Sequence, residues 1–338
     1  GLFFNREIAR LDRENIPTFV LKGNHDAESV VTKSIQLPAS VAQFDTRRAS
    51  SFRIEALKVA LHGRSFAERA ANENLALTYP EALPGFFNIG VLHTSLTGRP
   101  PHANYAPCSP EDLRSRGYDY WALGHVHEFE IVGRDPAIVF PGNIQGRSVR
   151  ETGPRGAVVV TVEDGRVEGI DRLMVDEARW ADVSVDVGGA EDLRGVIEAV
   201  ERAIGPVAEG RLLALRLRLV GECPLRRTLA ANRGDVADEI QAAAHRLHPD
   251  IWLEKLDLKV TEPAIAMSSS ADPGFDLEAL LRDVLADPET AARAEATIAE
   301  ITTKLPGGLG AREAPLGDET AELLAEACDL LATRAGKG

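Results

Sequence analysis

Three apolar runs in the first part of this chain each stop on a compact polar cluster. Thr18 to Lys22 ends at Gly23-Asn24-His25-Asp26, Phe87 to Leu92 at His93-Thr94-Ser95, and Tyr118 to Leu123 at Gly124-His125-Val126-His127; a further polar turn, Pro141-Gly142-Asn143, comes next. Short apolar runs bounded by turn residues read as buried strands. Metal-capable side chains at successive strand ends restrict the chain to α/β folds, since the crevice beyond the carboxyl ends of strands is where open α/β sheets bind ligands.

Imidazole nitrogen, amide oxygen and carboxylate oxygen form the ligand set of manganese, zinc or iron. His125 and His127 are separated by one residue, so an extended backbone would turn both imidazoles to one face, and Gly124 permits a tight turn before them. A lone histidine is more often an ordinary core or surface residue, and Gly-Asn-His-Asp alone fits a turn. Three clusters at three strand ends favour a metal site instead.

The rest of the composition sets bounds. With 338 residues the chain exceeds one usual compact domain, and 44 % hydrophobic with 27 % charged residues is ordinary for a soluble globular protein. No apolar run approaches the roughly 20 residues of a membrane span and no signal pattern opens the chain, so a cytoplasmic, membrane-free protein is the expectation. Cys108, Cys223 and Cys328 are odd in number and far apart, which suggests buried thiols rather than disulfides or a zinc knuckle. A net charge of −14 argues against coating nucleic acid by charge alone, but bound cations or local arginines can supply attraction that the average withholds.

The apolar patterning divides the chain into residues 1–174, a mixed α/β domain; 175–265, a small α/β module; and 272–338, a helical tail. In the first, a helix over Asn5 to Glu14 ends before Ile16-Pro17, and Phe52 to Ile54 with Leu57 to Leu61 form a hairpin. Ser109-Pro110-Glu111-Asp112 opens a helix, and Ala157 to Val162 with Arg166 to Val175 form a hairpin turning at Asp164-Gly165. The module reads as strand Val183 to Val187, helix Glu191 to Ile204, strand Leu212 to Val220, helix Val236 to Leu247 and strand Ile251 to Val260. In the tail, Asp272-Pro273 and Asp318 start amphipathic helices that need a surface to pack on, either their own domain or a partner protein.

The clusters, together with Tyr120 to His127, His102 with Tyr105-Ala106-Pro107, Phe140 to Arg147 and Glu151-Thr152-Gly153, resemble the calcineurin-like metallophosphoesterases. Within these they are similar to the SbcD-type DNA-repair exonucleases and, more closely, the YhaO-type proteins, over about Ile16 to Val162. The resemblance implies a sandwich of two sheets flanked by helices, an α/β capping domain and a helical tail. It implies an exonuclease that hydrolyses DNA phosphodiesters with two divalent cations, manganese foremost, bridged by a hydroxide that attacks in line. Asn24, His93 and His125 would hold one cation and His127 the other. His25 would act on the phosphate as the catalytic imidazole, stabilising the transition state or protonating the leaving oxygen. Asp26 would fix His25 or cap the turn. A coiled-coil ATPase partner and pairing with a second copy are implied by analogy alone.

The same resemblance places an Asp-x-His and a Gly-Asp-x-x-Asp ahead of Gly-Asn-His-Asp. Only 22 residues precede Gly23, and neither motif is among them. One cation would keep three protein ligands and its neighbour one. The chain therefore reads as a piece of the fold, lacking its first strands and the intervening helix, and as catalytically inactive by itself.

Outside the ligand set, His62 and His102 either line a substrate groove or, more often for such positions, are ordinary loop residues, and Arg147, Arg150 and Arg155 are either phosphate grips in that groove or part of a solvated loop. Arg216, Arg218, Arg226, Arg227 and Arg233 make either a DNA-facing strip or an ordinary solvated face, the second being slightly favoured. His245 and His248 are read as helix caps. Two other functions stay open: a small-molecule phosphoesterase on the same fold, and a scaffold that has lost its metals.

Overall fold

The computed structural model describes residues 2–28, 37–68, 71–96, 105–208, 210–263 and 277–304, with positions 320, 323–324, 327–328 and 331. The chain divides into two compact units, Gly1–Arg179 and Trp180–Gly338.

The first unit runs α1 (Leu2–Arg13), β1 (Thr18–Val20), α2 (Asn24–Glu28), β2 (Val41–Gln43), β3 (Ser50–Ile54), β4 (Val59–Gly63), β5 (Phe87–His93), α3 (Pro110–Arg114), β6 (Tyr120–Gly124), β7 (Glu130–Arg134), β8 (Ala137–Phe140), β9 (Gly156–Glu163) and β10 (Arg166–Met174). Six strands form a sheet in the order β3-β4-β5-β6-β8-β7, with β1 and β2 a separate parallel pair and β9 and β10 an antiparallel one. Strands β4, β5, β6 and β8 are parallel to their neighbours among themselves, while β3 and β7 run antiparallel at the two edges. The result is a mixed α/β unit with one large sheet, consistent with the expected fold class.

Strand alternation explains how this sheet is buried on both faces. Along β6, Trp121 and Leu123 point into one apolar cluster with Ile138 and Phe140 of β8. Their alternates Tyr120, Ala137 and Val139 enter another with Phe87, against which Val158, Val160, Val167 and Ile170 of the β9-β10 hairpin pack. The hairpin thus covers one face. Its turn has the chemistry expected from the sequence, Asp164 at φ 48° and Gly165 at φ 72°, the two left-handed residues of a type I′ turn. The β3-β4 connection is longer than expected: a 3-10 turn, Glu55–Leu57, intervenes and closes on Lys58 at φ 52°. Ser109 caps α3 with a full capping box, its hydroxyl accepting from Asp112 N–H and the Asp112 carboxylate accepting from Ser109 N–H.

Gly90 on β5 has no side chain for a specific reason. A Cβ there would lie 2.4–2.7 Å from the indole of Trp121 on the paired strand, and that indole is fully buried. Gly90→Ala is therefore expected to destabilise the unit by about 1–3 kcal/mol through overpacking, measured as a lower urea midpoint, with Trp121→Phe in the same chain recovering part of the loss.

The second unit contains β11 (Ala178–Asp186), α4 (Leu193–Ile204), β12 (Leu212–Glu222), α5 (Arg226–Ala231), α6 (Arg233–Leu247) and β13 (Ile251–Thr261), with the sheet order β11-β12-β13. Leu213, Leu215, Leu217 and Leu219 alternate along β12 and are all buried beneath Val196, Val200 and Ile204 of α4 and Val236 and Ile240 of α6. Asp192 caps α4 by accepting from Gly195 N–H at 2.8 Å. Helices α7 (Leu277–Ala286) and α8 (Pro288–Lys304) follow; the starts expected at Asp272 and Asp318 lie outside the described residues. Among the described residues no helix is long and apolar enough to cross a membrane.

The arginines of β12, α5 and α6 do not form a free basic strip. Arg216 pairs with Glu254 at 2.7 Å, Arg218 with Asp182, and Arg227 with Glu262 at 2.6 Å, while Arg226 and Arg233 donate to the carbonyls of Val260 and Leu256. Carboxylates on neighbouring elements thus meet the charge, as on an ordinary solvated face. His248 does close α6, its N–H donating to Ala244 O, whereas His245 stacks edge-on against Trp252 at 5.0 Å instead of capping. All three cysteines are buried free thiols.

Candidate metal centre

The strand ends bring three distant segments together around His93. This residue ends β5, and its partner across the parallel ladder is Gly124, the last residue of β6. The His93 imidazole lies between two glycine backbones: a Cβ on Gly23 would stand 2.5–2.9 Å from the ring, and one on Gly124 would stand 3.2 Å from Nδ1. Glycine in Gly-Asn-His-Asp and in Gly-His-x-His is thus required by close approach as much as by turn geometry. His93 Nε2 is 2.8 Å from Asn24 Oδ1, and Asn24 is buried. The His93 and His125 rings are 5.1 Å apart, edge to face, with Phe66 against His93 at 5.2 Å and Tyr105 against His125 at 5.0 Å.

His125 does not reach the site by strand alternation. The strand stops at Gly124 and His125 takes φ 103°, a region that disfavours any residue with a Cβ, so its ring is aimed by a strained backbone. Such strain gathers at functional positions because the surrounding packing has to impose it.

Electrostatics agree with this convergence. Burial pushes the His93 imidazole down to about 3, with His125, His25 and His127 each lowering it further. His93 is therefore neutral at physiological pH, the form that binds a cation. His127 has its Nδ1 2.6 Å from Glu151 Oε1, leaving Nε2 as its remaining nitrogen. His25 is exposed on the first turn of α2, and Asp26 accepts from Gly23 N–H at 3.0 Å, so Asp26 caps the turn.

The donors present fit a divalent cation. Asn24 Oδ1 and His93 Nε2 stand 2.8 Å apart, close to the roughly 3 Å that adjacent ligands of an octahedral ion keep, and both are held by packing. Asn24, His93 and His125 would hold such an ion, with His127 beside them. Among the described residues no three His, Cys, Asp or Glu side chains are grouped for ligation; the cluster consists of imidazoles and one carboxamide.

The other candidates are placed differently. His62 is a correction: its ring is fully buried, Nδ1 lies 2.7 Å from Ser51 Oγ, Nε2 lies 3.1 Å from Asn88 Oδ1, and Tyr118 stacks on it at 4.6 Å. An imidazole with both nitrogens engaged and no accessible surface does not line a groove. Arg155 is likewise buried, bound to His127 O and to Glu128 at 2.6 Å, so it braces the loop instead of gripping phosphate. Arg147 is exposed but bonded to Glu151 at 3.0 Å. His102 lies outside the described residues. Phe66, Tyr105 and Glu151 are site neighbours that residue type alone did not single out.

A mixed sheet that gathers imidazoles and a carboxamide at its strand ends is consistent with a metallophosphoesterase fold. Residues 180–261 match the family model described as "Metallophosphoesterase YhaO, middle domain". Over 264 residues the chain is 31 % identical to "Uncharacterized metallophosphoesterase YhaO" of Bacillus subtilis (strain 168), an alignment covering 76 % of this chain and 64 % of that relative. The chain thus spans less than two thirds of the relative's length, and the two similarities together support a metallophosphoesterase.

Proposed function

We propose that this chain carries the imidazole side of a metal-dependent phosphodiesterase centre acting on DNA ends, in the manner of a repair exonuclease. The observation that carries the reading is the meeting of Asn24, His93 and His125, from three segments, in contacts of 2.8 Å and 5.1 Å. Divalent cations bound there, manganese foremost, would polarise the phosphate and make hydroxide available near neutral pH. Asn24, His93 and His125 bind and His127 flanks them. His25, exposed beside the cluster, meets the phosphate and holds a proton for the departing oxygen. Two-cation hydrolysis calls for carboxylate donors as well, so these four side chains are expected to hold one manganese tightly. Two tight ions per chain, counted by calorimetry, would contradict that.

The test of substrate class is manganese-dependent hydrolysis by the protein expressed from its whole reading frame. End-labelled linear duplex DNA should be degraded, with closed circular duplex spared and a generic aryl phosphate turned over far more slowly. Turnover of the aryl phosphate without DNA degradation would mark a small-molecule phosphoesterase, and turnover of neither a metal-free scaffold.

A further inference from the structure

We infer that Glu151 is the positioning carboxylate of His127, and that the Pro141-Gly142-Asn143 turn and Arg147 exist to hold it there. Glu151 Oε1 lies 2.6 Å from His127 Nδ1. Two lone pairs at that distance would repel, so a proton sits between them, and the protonated partner is the imidazole Nδ1–H. Arg147 Nη2, 3.2 Å from the same nitrogen, then has its donor directed to Glu151 Oε1 at 3.0 Å. With Nδ1–H donating to the carboxylate, the Nε2 lone pair is the one left for a cation, the arrangement in which a carboxylate fixes the tautomer of a ligating histidine and raises its basicity.

The carboxylate is itself held on its other oxygen. Glu151 Oε2 accepts from Arg147 N–H at 2.8 Å and from Asn143 Nδ2 at 3.1 Å. Asn143 also ties the histidine's own backbone, its N–H donating to His127 O at 3.1 Å. Gly142, at φ 78°, has its absent Cβ only 2.8 Å from that carbonyl, so no larger residue lets the turn lie against the Gly-His-x-His loop. Asn143 therefore joins both ends of the dyad, and the separated motifs of the sequence form one brace.

This rests on the proposed metal centre, so the experiment reads the brace and the centre separately. In the full chain, Glu151→Ala removes the acceptor and Glu151→Gln keeps one acceptor oxygen while removing the charge. Long-range 15N NMR of the His127 ring without metal reports the tautomer, and manganese titration reports the affinity. Glu151→Ala is expected to lose the Nδ1–H tautomer and bind manganese 10–100-fold more weakly, the usual range for an outer-shell partner. Glu151→Gln is expected to keep the tautomer and lose less affinity. An unchanged tautomer in Glu151→Ala overturns the inference, as does equal affinity in Glu151→Ala and the parent. If the parent binds no manganese, the metal centre fails while the tautomer still decides the role of Glu151.

Discussion

His93→Ala is expected to weaken manganese binding by more than about 100-fold, beyond the range of an outer-shell loss, and to abolish metal-dependent hydrolysis by the whole protein. His93 is the hub of the cluster: it bonds Asn24, packs on His125 and fills the space between Gly23 and Gly124. Removing it deletes one ligand and frees a second. The buried Asn24 carboxamide also loses its 2.8 Å partner, and an unsatisfied buried acceptor costs about 1–3 kcal/mol. His93→Gln separates the two effects, because its amide can still donate to Asn24 Oδ1 but supplies no imidazole. The glutamine variant is expected to keep most of the stability and lose the metal like alanine. Parent-like manganese affinity in both variants would remove His93 from the centre and take the phosphodiesterase reading with it.

Much of this centre was legible because the physics that makes it is local. The runs before His93 and His125 are strands since they are buried on both faces, and glycines mark where backbone passes beneath a ring, as at Gly23 and Gly124. The type I′ turn and the Ser109 capping box follow from single residues. What was hidden depends on partners distant in sequence. His62 reads as either a groove-lining or an ordinary loop residue until Asn88, 26 residues on, engages it, and the choice between a DNA-facing strip and the slightly favoured solvated face for Arg216 turns on Glu254, 38 residues on. The placement of β8 between β6 and β7 has no local signal, since it depends on β7 turning outward to the edge. His125 shows the limit most clearly: alternation would have aimed it, but a positive φ does so instead.

With chelator present, the protein is expected to lose stability as the pH falls through two overlapping contributions, the earlier of them belonging chiefly to His93. Burial, then the neighbouring imidazoles, hold His93 near 3 in the folded chain against an ordinary 6.5. Between those values the unfolded chain binds a proton that the folded chain refuses, so the contribution is complete above about 6.5 and drains away as the pH drops toward 3. By pH 5 the loss is on the order of 2 kcal/mol, or a melting temperature lower by roughly 5 °C for a unit of this size. Buried His62 is lowered for the same reason and adds to this step. Glu151 supplies the second: burial raises it, but the Arg147 side-chain and backbone hydrogen bonds and that to His127 outweigh burial and hold it at about 2 against 4.5. Its contribution is present above about 4.5 and is lost as the pH falls through 2. Melting curves in chelator at pH 7.5, 6, 5, 4, 3 and 2 read the profile. His93→Gln should flatten the fall from pH 7.5 to 5, leaving the slope due to His62, and should leave the later acid step intact. An identical profile in parent and variant would mean that His93 titrates alike in the folded and unfolded chains, and the close packing of imidazoles at the strand ends would have to be abandoned.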